Sequence, residues 1–361
     1  MIRSRIERVN AKRKELGIGQ LFITDPAAFT YLSGEAFFSG ERMVGLLLQD
    51  DAQPIVLINE LFTLQDTDGV IVYTHSDTDD PMAQLAALLK DNTVLGVDKN
   101  MTAGFLLKLM EHWNGKIING SAAVDIVRQL KDADEQQKMI AVSAINDRVI
   151  EALICCVSKD KTELELAADC SSLQKQFGCD CDSFSPIIGF GANGADPHHE
   201  TDESRGKRGD SVILDIGGKL NGYCSDMTRT VFLGEVSEEG RKVYDIVLEA
   251  NKRGIAAAKP GARFCDVDNA ARSYITELGY GPYFTHRTGH SIGTDVHEAG
   301  DVSGSNTDVL KAGMCFSVEP GIYLPGKFGV RIEDLVMITE DGCRVLNSAD
   351  KELRVIPFPE N

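Results

Sequence analysis

Two kinds of hydrophobic pattern alternate along the first 120 residues, helical periodicity and short continuous apolar runs. Ile2, Ile6 and Val9 fall on one face of an opening helix. The same helical spacing covers two later segments, 81–90 and 103–113. Short apolar runs typical of buried strands are interspersed with these helices, at 20–24, 44–48, 55–58, 70–73 and 94–97. The pattern predicts a mixed α/β domain of modest size, in which we identify no catalytic constellation.

The pattern changes near residue 121. Helical periodicity covers five segments of the second part, 122–130, 135–157, 162–177, 238–259 and 264–279. Strand-rich stretches run over 183–234 and 314–355. Because helices and strands each occur twice here, the pattern allows a duplicated α+β unit without establishing one. We predict the α+β class with two domains, residues 1–120 and 121–361.

The composition agrees with a globular chain of two domains and excludes several classes. The 361 residues are 43% apolar, which is enough for two hydrophobic cores. No apolar run approaches the roughly 20 residues that span a bilayer, and the first residues lack the apolar segment of a signal peptide. The nine cysteines are odd in number and irregularly spaced, which argues for reduced thiols and against a disulfide framework. We therefore expect a cytoplasmic protein that does not bind membranes.

The net charge narrows the choice of ligands. Lysine and arginine total 37 against 55 aspartate and glutamate residues, so the net charge is −18. A chain this acidic repels nucleic-acid phosphates unless it has a local basic patch, and we find none in the sequence. We therefore expect no nucleic-acid partner, whereas metal cations are compatible with the charge.

Three familiar motifs occur without the structural context that they need. The G-x-G-x-x-G match at 189–194 is followed by Pro197 and polar residues, which predict a loop where a dinucleotide site requires a helix. A phosphate-loop match has Phe328 where a serine or threonine would bind Mg²⁺. The G-x-S-x-G match around Ser291 has only His297 as a downstream histidine, so a serine esterase stays only as an alternative.

Four carboxylates of the second part lie at or within predicted strands. An apolar strand runs into Asp215, and the turn-rich segment after it leads to Asp226, so a hairpin can bring the two side chains together. Glu319 follows another apolar strand, and Glu333 is embedded in a strand predicted over 330–338. One such residue is usually a cap or a solvated side chain, but four on buried strands need partners. Nearby basic residues are few, namely Arg229, Arg287 and Arg331. A single one of them cannot neutralise four carboxylates, whereas two divalent cations can.

Four segments around these carboxylates and His290 resemble the metal-binding motifs of one family, in the family's order and spacing. The segments are D-I-G-G-K-L-N-G-Y-C-S-D-M-T-R-T at 215–230, T-G-H-S-I-G-T-D-V-H-E at 288–298, S-V-E-P-G-I-Y at 317–323 and G-V-R-I-E-D at 329–334. The family is that of creatinase, prolidase and aminopeptidase P, the pita-bread metallopeptidases. The resemblance implies a duplicated α+β pita-bread catalytic domain, preceded in the chain by a smaller creatinase/prolidase-like α/β domain.

The resemblance also implies a dinuclear metal site. Its ligands would be the five residues that match the family's ligands, Asp215, Asp226, His290, Glu319 and Glu333. By the same resemblance Asp215 binds one ion, while His290 and Glu319 bind the other. Asp226 and Glu333 bridge the two ions. Four carboxylates and one imidazole favour hard to borderline ions, so Mn²⁺ is our first choice, with Co²⁺, Fe²⁺ or Zn²⁺ as alternatives.

The activity that the resemblance implies is hydrolysis of the bond between an N-terminal residue and proline, by a hydroxide that bridges the two ions. The enzyme would be a metallo-exopeptidase, an Xaa-Pro dipeptidase or aminopeptidase, that acts on small peptides with proline at the second position. Glu319 would accept the proton, and His198 would lie near the leaving nitrogen. His297 would contact the substrate carbonyl, and Arg331 would orient the ligand carboxylates.

Departures from the family pattern leave the substrate range open. Ser291 stands where the family usually has glycine, and Asp301 stands where some prolidases have an arginine that binds the C-terminal carboxylate of the substrate. Longer Xaa-Pro peptides are therefore as compatible with the sequence as dipeptides. Hydrolysis of a non-peptide C–N or C–S bond and a non-catalytic peptide-binding role stay open as alternatives. His199 and His286 are expected to be ordinary structural histidines, and the family implies a homodimer.

Overall fold

The computed structural model describes residues 1–37 and 39–359, and the chain divides into two units, Met1–Arg128 and Gln129–Asn361. The division falls at the end of the helix that the sequence predicts over 122–130. Each unit has its own clusters of buried apolar side chains. Within the described ranges, no helix is long and apolar enough to cross a membrane.

The first unit is a six-stranded mixed sheet with helices. Its elements are α1 Arg3–Glu15, β1 Gln20–Ile23, α2 Pro26–Ser33, β2 Val44–Gln49, β3 Ile55–Asn59, β4 Ile71–His75, α3 Pro81–Leu88, β5 Leu95–Val97, α4 Ala103–His112, β6 Ile117–Asn119 and α5 Ala122–Gln129. The strand order is β4-β3-β2-β1-β5-β6, in which β2 is antiparallel to both neighbours and the other pairs are parallel. Along β1, Leu21 and Ile23 pack in one apolar cluster and Phe22 packs in another. Both faces of β1 are therefore buried, which explains why it reads as a continuous apolar run.

The helices and strands predicted for this unit are all present within a few residues, and two further elements were not predicted. The helix α2 has local signals that explain it, because the Asp25 side chain accepts a hydrogen bond from the Ala28 N–H (2.7 Å) and Pro26 occupies the first turn. Gly34 ends it with a φ of 81°, in the left-handed region. The strand β6 has three residues and pairs only with β5 among the described strands, so it leaves no periodic signal.

The described part of the second unit, residues 129–359, contains four long helices and several sheets. Its elements are α6 Ala133–Cys156, α7 Glu163–Phe177, β7 Cys181–Asp182, β8 Ile187–Phe190, β9 Ser211–Ile216, β10 Gly218–Leu220, β11 Tyr223–Cys224, β12 Met227–Leu233, α8 Glu238–Ala257, α9 Phe264–Glu277, β13 Gly289–Ser291, β14 Glu298–Val302, β15 Cys315–Val318, β16 Gly321–Leu324, β17 Phe328–Arg331, β18 Asp334–Ile338, β19 Cys343–Val345 and β20 Val355–Ile356. Reciprocal capping boxes begin α6 at Asp132 and α7 at Thr162.

Two of these sheets carry helices on one face. The four-stranded sheet has the order β20-β12-β9-β8, and α6 packs on it through Ile150 and Leu153. The five-stranded sheet has the order β14-β13-β15-β18-β19, and Phe264 of α9 packs against Phe316 of β15 with ring centroids 5.3 Å apart. Smaller sheets, β11-β10-β7 and β16-β17, complete the unit. This architecture agrees with the predicted α+β class.

The prediction of a single strand over 330–338 is wrong, because the chain passes from one sheet to another within this segment. β17 ends at Arg331 in the small sheet with β16, and β18 begins at Asp334 in the five-stranded sheet. At the break, the Glu333 N–H donates to the Thr228 carbonyl (3.1 Å), which belongs to β12. Arg229 donates to the Glu333 carbonyl (2.6 Å) and to the Asp334 carboxylate (2.8 Å). Glu333 therefore lies between the two strands, in neither sheet, while its backbone stays hydrogen-bonded.

Candidate metal centre

A cavity of about 440 Å³ lies in the second unit and is lined by the side chains that the sequence predicts to be metal ligands or catalytic residues. Its walls include the eight predicted site residues, His198, Asp215, Asp226, His290, His297, Glu319, Arg331 and Glu333. Apolar side chains, among them Phe184, Ile187 and Val296, form another part of the wall. Residues that are up to 149 positions apart in the chain thus face one space.

Antiparallel pairing of β9 and β12 positions two of the carboxylates. Asp215, within β9, lies opposite Thr228 of β12, and Asp226 immediately precedes that strand. The Thr228 hydroxyl donates to Glu333 Oε2 at 2.8 Å, so the same strand also holds the carboxylate that follows the sheet change. The predicted convergence of Asp215 and Asp226 therefore comes from the β9–β12 ladder, with the β10–β11 hairpin inserted between the two strands.

The strands β13 and β15 position His290 and Glu319. The Ser317 hydroxyl accepts a hydrogen bond from the His290 N–H (3.0 Å) and donates one to Glu319 Oε1 (3.1 Å). His290 Nε2 lies 3.4 Å from Glu319 Oε1 and 3.5 Å from Asp226 Oδ2. A Cβ at Gly289 would lie 1.9 Å from the Ser317 carbonyl oxygen, so only glycine allows this close approach of the strands.

Two carboxylate oxygens in the cavity wall are buried without a hydrogen-bond donor among the described residues, Asp215 Oδ1 and Glu333 Oε1. The second oxygen of each side chain is held, because Arg331 Nη2 donates to Asp215 Oδ2 at 2.6 Å and Thr228 donates to Glu333. Buried carboxylate oxygens that lack partners are costly unless a cation or a donor satisfies them. These two atoms therefore indicate a cation site.

Electrostatic crowding in the cavity supports the same conclusion. Burial raises the pKa of Asp226 well above its ordinary value, and the nearby Glu333 and Asp215 carboxylates raise it further. Burial likewise raises the pKa of Glu333, with Glu319 and Asp215 adding to the effect. The pKa of Glu319 is raised by burial to about 7. Neighbouring buried carboxylates repel one another when they are all ionised. Bound divalent cations offset this repulsion and stabilise the ionised form.

The fifth donor has the protonation state of a metal ligand. Burial lowers the pKa of His290 to about 3, so its imidazole is neutral at physiological pH. Ligand atoms of Asp226, His290 and Glu333 all lie within 4.8 Å of one another. Four carboxylates and a neutral imidazole therefore form a donor set that fits divalent cations of the hard to borderline class.

A hydrogen-bonded chain behind Asp215 includes two residues that the sequence did not single out as site residues. The Tyr323 hydroxyl accepts from Arg331 Nη1 (2.9 Å) and donates to His286 Nε2 (2.8 Å). His286 Nδ1–H donates to the Arg287 carbonyl (2.6 Å), which fixes its tautomer. His286 also lines the cavity, and burial lowers its pKa to about 3. The signal available in the sequence was the position of His286, four residues before His290 and just ahead of β13.

The remaining histidines occupy different surroundings. The rings of His297 and His290 meet edge to face, with centroids 4.2 Å apart and planes at 88°. Burial lowers the pKa of His297, and the Arg287 guanidinium lowers it further. His198 lines the cavity from the loop after β8, whereas His199 donates to the buried Glu163 carboxylate (2.6 Å). Of these two neighbouring histidines, His198 therefore faces the cavity, whereas His199 is bonded to a carboxylate outside the cavity wall.

Ser291 does not belong to the cavity wall. Its side chain is buried, and its hydroxyl donates to the Gly300 carbonyl at 3.0 Å. A nucleophilic serine needs an exposed Oγ and a histidine within hydrogen-bond reach, and neither condition is met here. The structure thus gives no support to the serine esterase alternative.

Comparison with known proteins gives consistent matches over both units. A family model described as metallopeptidase family M24 matches residues 137–340, and one described as the creatinase/prolidase N-terminal domain matches residues 5–130. An uncharacterized peptidase of Staphylococcus aureus (strain MRSA252) is 34% identical over 339 residues, which are 91% of this chain and 95% of that protein. Among solved structures, a recombinant prolidase from Thermococcus sibiricus is 36% identical with a TM-score of 0.92 and covers 99% of each chain. An Xaa-Pro dipeptidase from Bacillus anthracis is 30% identical with a TM-score of 0.91, over 98% of this chain and 99% of its own.

Proposed function

The chain belongs to metallopeptidase family M24, and we propose that it removes an N-terminal residue that precedes proline, with two divalent cations in the cavity. It is a peptidase, and the predicted fold is confirmed: a pita-bread catalytic domain is preceded in the chain by a creatinase-type N-terminal domain. The observation that carries the proposal is the set of four carboxylates that line the cavity around His290, two of which have a buried oxygen without a donor among the described residues. The solved prolidase and Xaa-Pro dipeptidase that this chain resembles support the choice of substrate.

The proposed ligands of the two ions are those implied by the family motifs, Asp215, Asp226, His290, Glu319 and Glu333. Mn²⁺ is our first choice of ion, since oxygen donors dominate the set and one imidazole is present. When bound, such ions supply a nucleophilic water at neutral pH and polarise the scissile carbonyl. Arg331 holds Asp215 Oδ2 at 2.6 Å and so leaves Oδ1 of that side chain for an ion.

In the proposed reaction, the remaining polar side chains move protons and orient the substrate. Glu319 accepts a proton from the attacking water. The bond from the carbonyl carbon to the proline nitrogen breaks as His198 donates a proton to that nitrogen, because an amine leaves more readily than an amide anion. His297 donates a hydrogen bond to the carbonyl oxygen, where negative charge develops in the transition state.

Preference for proline follows from the shape of the substrate and of the cavity. An Xaa-Pro bond has no N–H, and the proline ring fixes φ, so enzymes that bind this N–H or extend the backbone act poorly on it. The apolar wall formed by Phe184, Ile187 and Val296 gives a surface for the ring. A small peptide with proline at its second position is therefore the proposed ligand.

The choice between dipeptides and longer peptides depends on the rim of the cavity. Arg287 lines the cavity and forms an ion pair with Asp301, the residue that stands where some prolidases have arginine. Because Asp301 balances this charge, the rim has less attraction for a substrate carboxylate than an unpaired arginine would have. We propose that tripeptides such as Ala-Pro-Gly are cleaved as well as dipeptides.

The test compares Ala-Pro, Ala-Pro-Gly and Ala-Ala as substrates of the EDTA-treated protein before and after addition of Mn²⁺. Hydrolysis of both proline peptides only with metal supports the proposal, and resistance to a serine-directed phosphonate excludes the esterase. Binding of peptide without hydrolysis would favour the non-catalytic alternative, and inactivity on every peptide would favour a non-peptide C–N or C–S substrate. Homodimer formation and a cytoplasmic location remain predictions, to be measured by sedimentation and by fractionation.

A further inference from the structure

A buried carboxylate outside the cavity contacts the loop between β8 and β9 on both sides of His198. Glu163 is the first residue of α7 and is completely buried. Its Oε1 accepts hydrogen bonds from the Phe190 N–H (2.8 Å) and from the Asn193 side-chain amide (2.9 Å), at the start of the loop. Its Oε2 accepts from His199 Nε2–H (2.6 Å) and from the Asp202 N–H (3.1 Å), further along the same loop. Each oxygen thus has two donors.

The segment between these anchors carries His198 to the cavity. Pro197 and His198 both line the cavity wall, and the His198 N–H donates to Asp196 Oδ1 at 2.9 Å. Within the described part of the chain, no hydrogen bond holds the His198 ring. The ring is therefore carried by the loop backbone, and Glu163 is bonded to that loop on both sides of His198, through Asn193 and through His199.

A cation is a poorer explanation of this cluster than a hydrogen-bonded anchor. Ligand atoms of Glu163, His199 and Asp202 lie within 4.8 Å of one another, as in a metal site. However, both Glu163 oxygens already accept two hydrogen bonds each, and one donor is the N–H of the imidazole. A carboxylate that is buried and fully hydrogen-bonded needs no ion to satisfy it.

We propose that Glu163 and His199 are positioning residues for the reaction and that they act through His198. The inference rests on the proposed function, in which His198 protonates the leaving nitrogen. The physical basis is that a catalytic proton donor must lie within hydrogen-bond reach of its target, and a displacement of about 1 Å can reduce the rate by 10²-fold. One side chain that is bonded to the loop on both sides of His198 restricts such displacements.

The test is a double-mutant cycle with Ala-Pro as substrate and Mn²⁺ bound. Glu163→Gln replaces one acceptor oxygen by an amide that faces N–H donors, so we expect kcat to fall by about 10-fold or more with KM little changed. In a His198→Ala background the same substitution should change kcat by less than about twofold, because the residue through which it acts is gone. Deuterium exchange of residues 191–202 should become faster, and the Mn²⁺ stoichiometry should not change.

A second variant and a control keep the result interpretable. His199→Ala removes one of the four hydrogen bonds, so it tests the inference even if Glu163→Gln does not fold. Glu165→Gln is the control, because this carboxylate caps the same helix from an exposed position. Equal losses of kcat in the wild-type and His198→Ala backgrounds would overturn the inference. A wild-type protein that cleaves no Xaa-Pro peptide would instead overturn the proposed function.

Discussion

The stability of the metal-free protein should depend on pH through the buried carboxylates of the cavity. Burial raises the pKa of Glu319 from 4.5 to about 7, and the pKa values of Asp226 and Glu333 are also raised. A carboxyl group whose pKa is higher in the folded state stabilises the fold while it is protonated in both states. This contribution is present below the unfolded pKa and is lost as the pH rises through the folded pKa.

The magnitude follows from the shift at Glu319. At about 1.4 kcal/mol per pKa unit, a rise from 4.5 to about 7 is worth about 3 kcal/mol. For a unit of this size, that free energy corresponds to a fall in Tm of about 6–12 °C. Asp226 and Glu333 act in the same direction. Bound divalent cations neutralise the carboxylates. The stability of the metal-loaded protein should therefore not fall in this way as the pH rises.

The assay is differential scanning fluorimetry of the EDTA-treated and Mn²⁺-loaded protein at pH 5, 6, 7 and 8. The difference in Tm between the two forms should widen steadily as the pH rises. Glu319→Gln should reduce this widening, whereas the exposed Glu340→Gln serves as a control that leaves it unchanged. A difference that stays constant, or that narrows with rising pH, would refute the reasoning from buried carboxylates.

Three further substitutions have expected outcomes. Arg331→Lys loses the separate hydrogen bonds to Tyr323 and Asp215, so calorimetry should show that the affinity for Mn²⁺ is reduced by about 10–100-fold. An unchanged affinity would contradict the role of Arg331 in orienting Asp215. Gly289→Ala places a Cβ 1.9 Å from a backbone oxygen and should lower the unfolding free energy in urea by about 3 kcal/mol or more; a neutral effect would show that β13 can move. Ser291→Ala removes one hydrogen bond, so it should cost about 1 kcal/mol of stability with kcat unchanged, whereas loss of activity would revive the serine alternative.

The parts of the fold that follow from local pattern were predictable from the sequence. The long helices have an apolar stripe, and α6 and α7 begin at capping boxes that the side chains of Asp132 and Thr162 complete. The carboxylates at Asp215 and Glu319 stand out because ionisable residues seldom follow buried apolar strands. Four such positions with one histidine made a metal site predictable before any contact was known.

The contacts that depend on tertiary structure were not predictable in this way. Residues 330–338 have the apolar character of one strand, and only the pairing partners of β17 and β18 show that the chain changes sheets before Glu333. His286 resembles any half-buried histidine until Tyr323 is found against it. The contact of Glu163 with His199 joins residues 36 positions apart, and no periodic or motif signal links them.

In the proposed mechanism, the carboxylate cluster around His290 holds two divalent cations that the peptidase reaction needs. The most direct measurement is a titration of Mn²⁺ into the EDTA-treated protein, with bound metal counted by mass spectrometry and Ala-Pro hydrolysis followed in the same samples. We expect the rate to reach its maximum at two ions per chain and Asp226→Asn to lower it by about a thousand-fold. Hydrolysis that proceeds without metal, or that survives in Asp226→Asn, would contradict this mechanism.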